Sequence, residues 1–437
     1  MRDVLARMAA GASVPVFPVT GAGARDAVQG LRLQPELSLL DSPRAANVLL
    51  VAGTIPEELW DALARVHDMI SRPRCTVFWT LGDLQLRPPP VLPEALVVDA
   101  DVVGATVAAH RELLMGKRPS DPPVLPDEDP APWRGVGPYG QGGSGMTGGT
   151  PYGRPMAELG PDRDGLHLDV LPLRVGPFFP RFPAGFSLDL KLAGDVVVEA
   201  VPGPNPYASA AVPLHPGLSP FVRALSEPVS IAELEMARAR EHLRWLADAL
   251  IAHELRALGV RALRLAANVQ PGDGPTVRRL GRVLELTQVL GWSTKGVGRF
   301  TGEKLAGLGL GPVTRAAGIA EDLRTDDPAY RELGFEPLVQ RGGDASARWR
   351  QRLEETVQSL DLAGRANGRR TEPAGRVESP RGRLEPGSGP TARLMPLLPD
   401  LLQGLEWGDA VATLVSLDLD LEEAAVAELV TAGQVVP

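Results

Sequence analysis

Hydrophobic and polar positions change their texture three times along the chain. Between residues 42 and 80 short apolar runs alternate with helical periodicity. Ala46-Asn47-Val48-Leu49-Leu50-Val51-Ala52 is apolar enough for a strand covered on both faces. Thr54, ahead of Pro56, Glu57 and Glu58, caps a helix whose Leu59, Leu63 and Val66 recur at helical spacing as far as Met69, and Pro73 stops it. Cys75-Thr76-Val77-Phe78-Trp79-Thr80 reads as a second strand, Leu96-Val97-Val98 as a third and 103–115 as a helix. Strands alternating with helices build βαβ units, so residues 1–118 are expected to form an α/β domain with a mostly parallel sheet.

Residues 119–165 break this pattern: 10 Pro and 11 Gly fall in 47 residues, too many for a packed core. Trp133, Tyr139 and Tyr152 are spaced through the stretch, which suits a Pro/Gly-rich strap laid along a surface better than a bare linker. Gly140-x-Gly142-x-x-Gly145 spells a dinucleotide fingerprint, but no strand precedes it and Met146-Thr147-Gly148-Gly149 cannot open a helix, so the match is set aside.

A second body is expected over 166–437. Phe186-Ser187-Leu188-Asp189-Leu190-Lys191-Leu192 alternates strictly, Gly194-Asp195 turns, and Val196-Val197-Val198-Glu199-Ala200-Val201 returns as a β-hairpin. Ser230 caps a helix expected over 231–258, with Leu243, Leu246, Ala247, Leu250 and Ile251 on one stripe and Gly259 at its end. Helices are expected over 277–290 and 347–362, and helical periodicity returns over 396–431. Seven Arg against three Glu amid Gly and Pro make 364–393 a mobile basic loop. This body is therefore mainly α-helical, of α+β type.

Composition narrows the chemistry. With 45 basic against 54 acidic residues the formal charge is −9, which argues against a nucleic-acid-coating role. The single cysteine, Cys75, leaves no internal disulfide and no cysteine-held iron–sulfur, nickel or zinc centre within this chain. No run approaches the ~18 apolar residues of a membrane span, and Met1-Arg2-Asp3-Val4-Leu5 does not open a signal peptide. The expected location is cytoplasmic, peripheral on the inner face of the cell membrane, with membrane contact only through partners. No His-Glu-x-x-His, Gly-x-Ser-x-Gly or Walker loop occurs, so no catalytic residue is assigned. His242 and His253, 11 residues apart on one expected helix, stand ~16 Å apart and share no metal. His242 reads best as a packing residue. Arg315, Asp322 and Arg324 form the strongest charged cluster, either a polar cavity wall or an ion-paired network holding loop to helix.

The first body resembles the B-type subunits of respiratory complex I, related to the hydrogenase small subunit, through Ser42-Pro43-Arg44-Ala45-Ala46-Asn47-Val48-Leu49-Leu50-Val51-Ala52-Gly53-Thr54-Ile55, Leu63-Ala64-Arg65-Val66-His67-Asp68-Met69 and Pro73-Arg74. The second resembles the D-type subunits of complex I, relatives of the nickel–iron hydrogenase large subunit. It does so through Gly176-Pro177, Ala232-Glu233-Leu234-Glu235, His242-Leu243-Arg244-Trp245-Leu246, Thr294-Lys295-Gly296-Val297-Gly298, Gly311-Pro312-Val313-Thr314-Arg315-Ala316-Ala317-Gly318-Ile319 and Asp322-Leu323-Arg324. Gly343-Asp344 through Arg348 and Glu378-Ser379-Pro380-Arg381-Gly382 are weaker markers.

The resemblance implies centres whose ligands this sequence lacks. Where the B-type family carries a tandem cysteine pair, the chain reads Thr20-Gly21-Ala22-Gly23-Ala24, and Leu81-Gly82-Asp83 stands where a further ligand belongs. Where the D-type family places a quinone-site histidine, Gly176-Pro177-Phe178-Phe179-Pro180 puts Phe179, which neither donates nor accepts a hydrogen bond. The hydrogenase cysteine pair is missing from Ser416-Leu417-Asp418-Leu419-Asp420. The expectation is a B–D fusion without iron–sulfur cluster or nickel, in the peripheral arm of a complex I-like or membrane hydrogenase-related assembly that docks on antiporter-like membrane subunits for ion translocation. Phe179, Arg315, Asp322, Arg324 and His242 would line a remnant cavity. The alternative is an active NADH:quinone oxidoreductase subunit of D type with a residual quinone cavity, and a third class is a regulatory protein with no membrane partner.

Overall fold

The computed structural model describes residues 11–83, 85–127, 158–161, 164–208 and 216–425. Five strands, β1 Val14–Thr20, β2 Leu37–Leu39, β3 Val48–Ala52, β4 Cys75–Trp79 and β5 Leu96–Val98, form one sheet in the order β2-β1-β3-β4-β5, parallel throughout. Helices α1 Arg25–Leu31, α2 Trp60–Met69 and α3 Val102–Leu114 cover its faces. The continuous apolar run of β3 follows from this burial: Val48 and Leu50 pack with Val28, Leu31, Ala109 and Leu113 on one side. Leu49 and Val51 pack with Phe17, Leu63 and Phe78 on the other. Strand order reverses between β1 and β3, the switch point outside whose carboxyl ends ligands bind in open α/β sheets.

No strand is expected over 14–20 from the sequence pattern above, and β1 carries Pro15 and Pro18, a residue type that strands admit only where no ladder bond is lost. Val14 donates to Glu36 O and Val16 O accepts from Leu40, so alternate residues of β1 face β2. Pro18, next in that series, lies beyond the end of the three-residue β2 and removes no ladder bond. Of the expected strap, 128–157 and 162–163 lie outside the described residues. Its first part is fixed to α2 by Asp68, whose carboxylate accepts from Val124 and Leu125 backbone N–H groups.

The second body opens with an antiparallel sheet, β6 Leu159–Pro161, β7 His167–Val175, β8 Leu188–Ala193 and β9 Val196–Pro202, in chain order. Its main helices are α4 Ile231–Ala252, α5 Arg256–Asn268, α6 Gly274–Thr287, α7 Pro312–Ala316, α8 Ala345–Arg365 and α9 Trp407–Leu417. The helix expected over 231–258 is two, broken where Glu254 takes φ +61°. Gly259, expected to end it, is buried inside α5 against Ile251. The helix expected over 277–290 ends at Thr287, where Gln288 turns left-handed at φ 51°. Leu243, Leu246 and Leu250 of α4 meet Leu263, Val277, Leu280 and Leu360 in one core.

The expectation of a mobile basic loop over 364–393 needs correction. β10 Val377–Glu378 pairs with β11 Arg383–Leu384, and Ser379 and Arg381 between them are buried. Charge counting suggested a solvated loop, but Arg381 turns inward to carboxylates from α4 and from the segment after α9, which local sequence cannot reveal.

Candidate functional site

Helical spacing builds the centre of the second body. Glu235, Arg238 and His242 recur along α4, and Arg348, Arg352 and Glu355 along α8, so each trio faces the other helix. α7 delivers Arg315 between them. There Gly311 has φ 51°, and a Cβ would come within 2.6 Å of Gly382 Cα, so only glycine lets this turn approach the β10–β11 turn. Arg315 Nε and Nη2 donate to Glu355 Oε1 and Oε2 at 2.7 and 3.1 Å. Its Nη1 reaches Glu378 at 2.7 Å and Asp322 at 2.9 Å. Arg324 grips Asp322 with two bonds of 3.0 and 2.7 Å and reaches Glu235 at 3.2 Å, while the Tyr330 hydroxyl donates to Glu235 at 2.6 Å.

Burial pushes the Glu355 carboxyl up, but Arg315 and His242 outweigh it and hold the group well below the usual range. Asp322 is likewise lowered, by Arg324 and Arg315 against burial. Burial drives His242 down to about 4, so it stands as a neutral ring 3.5 Å from Glu355. Arg348 has no carboxylate at contact distance in the ion pairs described. It donates to Gly298 O, Gly343 O and Ser416 Oγ at 2.9, 3.0 and 2.8 Å, and burial lowers it to about 9.

A second lobe of the network leads to the first body. Arg381 lies 3.1 Å from Asp420 and 3.5 Å from both Asp418 and Glu241. Arg25 of α1 meets Glu241 at 3.3 Å, and Gly23 N–H donates to Glu422 at 2.9 Å. Arg244 pairs with Asp26, and Gln29 with Asp248. Carboxylates of the second body thus close over the switch point of the parallel sheet. The loops there are tightly joined: Ala22 N–H donates to Thr54 O at 2.9 Å, and Thr54 N–H to Ala22 O at 3.1 Å. A Cβ on Gly21 would stand 2.5 Å from Thr54 O.

The five residues expected to line one cavity are divided. Phe179 borders a cavity of about 160 Å³ at the junction of the two bodies, with Phe182, Trp245, Asp248, Gln29 and Arg25 on its walls. Arg324 borders a separate cavity of about 170 Å³ with Tyr330 and Arg376. Arg315, Asp322 and His242 border neither of these; Glu355 joins His242 to Arg315, and Asp322 joins Arg315 to Arg324. Sequence reasoning missed Glu355 and Glu423, and Glu378 and Arg381 were noticed only as part of a marker. The signal for Glu355 is its spacing of seven from Arg348 along one helix face. Cys75 lies within β4, where burial pushes its thiol up to about 12, so it is no thiolate ligand at neutral pH. Among the described residues, no group of three or more His, Cys, Asp or Glu is placed to hold a metal ion.

This ion-paired centre falls largely within the part of the chain that comparison picks out. Residues 275–386 match the family described as respiratory-chain NADH dehydrogenase, 49 Kd subunit. Over this range the second body is similar to D-type subunits. The D 2 subunit of NADH-quinone oxidoreductase from Rhizobium etli is 38% identical over 89 residues, 20% of this chain and 22% of that one. The D-type subunit of the same enzyme from Clostridium beijerinckii is 38% identical over 88 residues, 20% and 24% of the two chains. The D-type subunit of F(420)H(2) dehydrogenase from Methanosarcina mazei is 33% identical over 165 residues, 29% of this chain and 44% of that one. The chain thus spans under half the length of these curated relatives. The markers Gly311 through Arg324, Gly343-Asp344 and Glu378 through Gly382 all lie inside the matched range, and the structure gathers them around Arg315 and Arg348.

Proposed function

We propose that this chain is a B–D fusion protein of a complex I-like or membrane hydrogenase-related assembly, serving without a redox centre as a peripheral-arm adaptor that docks on antiporter-like membrane subunits. The observation that carries this reading is the state of the switch point. Where the resemblance to the B-type family would put cluster thiolates, Gly21 has no room for a side chain, Gly23 N–H is taken by Glu422, and the chain supplies one cysteine rather than the three or four a cluster needs. The four-iron cluster of the family does not fit these residues. An interface role suits a body whose fold is kept while the former ligand positions, crowded at Gly21 and open at Gly82, carry no thiol.

The alternative, an active quinone-reducing protein, draws on the cavity beside Phe179. Proton delivery to a reduced quinone needs a hydrogen-bonding group there, and Phe179 packs edge-to-face on Phe182 at 4.9 Å. Metal and acid-labile sulfide analysis of the purified full chain, with quinone reductase assay, tests the choice. The adaptor reading expects no stoichiometric iron and no quinone reduction, and no gain from Phe179→His. Stoichiometric iron with a cluster EPR signal, or saturable quinone reduction altered by Phe179→His, would replace it with the enzyme reading.

A further inference from the structure

The two most exposed large apolar side chains among the described residues lie close in sequence, Leu286 at 82% and Trp292 at 83% exposure. They stand on α6 and on the helical turn Val289–Thr294 that follows it. α6 buries Val277, Leu280 and Leu284 in the core shared with α4. At 3.6 residues per turn, Arg279, Arg282 and Leu286 fall on the opposite side, and all three are exposed. Lys295 is exposed just beyond Trp292. Exposed cations, Arg278, Arg279, Arg282 and Lys295, and bulky apolar groups therefore follow one another along this ridge, with Glu285 the exposed acid among them, in a chain whose formal charge is −9.

We propose that this ridge is a direct membrane-contact surface, seated on anionic lipid headgroups with Leu286 and Trp292 entering the interfacial layer. It goes beyond the adaptor reading, which places membrane contact in partner subunits alone. The core of a protein–protein interface is depleted of charge and gathers its apolar area. Here cations alternate with the apolar groups, as on surfaces that lie at a lipid interface, where tryptophan sits at headgroup level and arginine or lysine meets lipid phosphate. Charge complementarity selects the lipid: along 278–295 the exposed Arg278, Arg279, Arg282 and Lys295 outnumber the one exposed acid, Glu285, so this stretch is drawn toward an anionic leaflet although the chain as a whole is acidic.

Flotation of the purified full chain with phosphatidylcholine vesicles, with and without phosphatidylglycerol, tests this. Binding is expected to phosphatidylglycerol vesicles and to weaken as salt rises above about 0.1 M. Arg279→Glu/Arg282→Glu should lower the partition coefficient about tenfold or more. Leu286→Ala/Trp292→Ala should likewise lower binding to phosphatidylglycerol vesicles. The control Arg65→Glu/Lys117→Glu makes the same charge change on exposed positions of the α/β body and should leave binding near wild type. Equal loss in the control, or no vesicle binding at low salt, overturns the proposal. Binding to protein-containing membranes but not to lipid vesicles overturns it in favour of a protein partner, and a Trp292-dependent dimer in favour of self-association. Vesicle binding without any co-purifying membrane protein would support the ridge while defeating the adaptor reading, so the two fail separately.

Discussion

Arg315 holds three buried carboxylates at once, since Glu355, Asp322 and Glu378 all lie within 3 Å of its guanidinium. Arg315→Met leaves three buried carboxylates without their shared cation, and urea denaturation should show a loss of ~3–5 kcal/mol. Replacing the arginine costs far more than the net worth of the cluster, because the penalty is that of stranded charge. Glu423 behaves oppositely. Burial, with Asp420 adding to it against the pull of Arg381, pushes Glu423 up to about 7 from an ordinary 4.5. The folded chain thus binds this proton more tightly than the unfolded one. Its contribution is fully present below pH 4.5 and is lost as pH rises through about 7. Glu423→Gln, which keeps an acceptor for the Ser379 hydroxyl, should flatten the fall in Tm between about pH 5 and 7; an unchanged slope would remove Glu423 from the account. The Asp322–Arg324 contact was legible because the two are neighbours in sequence. Glu355 and Glu378, 40 and 63 residues from Arg315, were not, since local sequence carries no sign of which distant carboxylate a buried arginine meets.

At the scale of elements, α8 shows how a marker in the sequence becomes geometry. Asp344 caps it, accepting from Ala347 N–H at 2.8 Å, and its other oxygen accepts from Gly296 N–H at 2.7 Å. One side chain thereby fixes a helix end and the Thr294–Gly298 loop. Asp344→Ala should cost ~1–2 kcal/mol or somewhat more, because two backbone donors lose a partner. Hydrogen exchange at Gly296 and Ala347 should rise together; a rise at Ala347 alone would mean that the cap and the loop are not coupled. The strands β3 and β4, the β8–β9 hairpin and the cores of α4, α6 and α8 were readable from periodicity. The β1 strand was hidden by prolines whose missing N–H groups fall outside the ladder. The α4–α5 break lacked its usual signal, because the left-handed position is Glu254 rather than a glycine.

Over the whole molecule the two bodies meet through charge: Arg25 against Glu241, Arg244 against Asp26, Gly23 against Glu422. Arg25→Glu would set a further carboxylate beside Glu241, Asp418 and Asp420. Faster exchange or proteolysis around α1 is expected, with the α4–α8 core unchanged; loss of both together would mean that the bodies fold as one unit. Among the described residues no helix is long and apolar enough to cross a membrane. The most direct measurement is affinity purification of the tagged full chain from detergent-solubilised membranes of its own cells, with mass spectrometry of the native band. An adaptor in a complex I-like arm should migrate in one complex with multi-span antiporter-like subunits, and recovery of the chain alone, at its own mass, would contradict it.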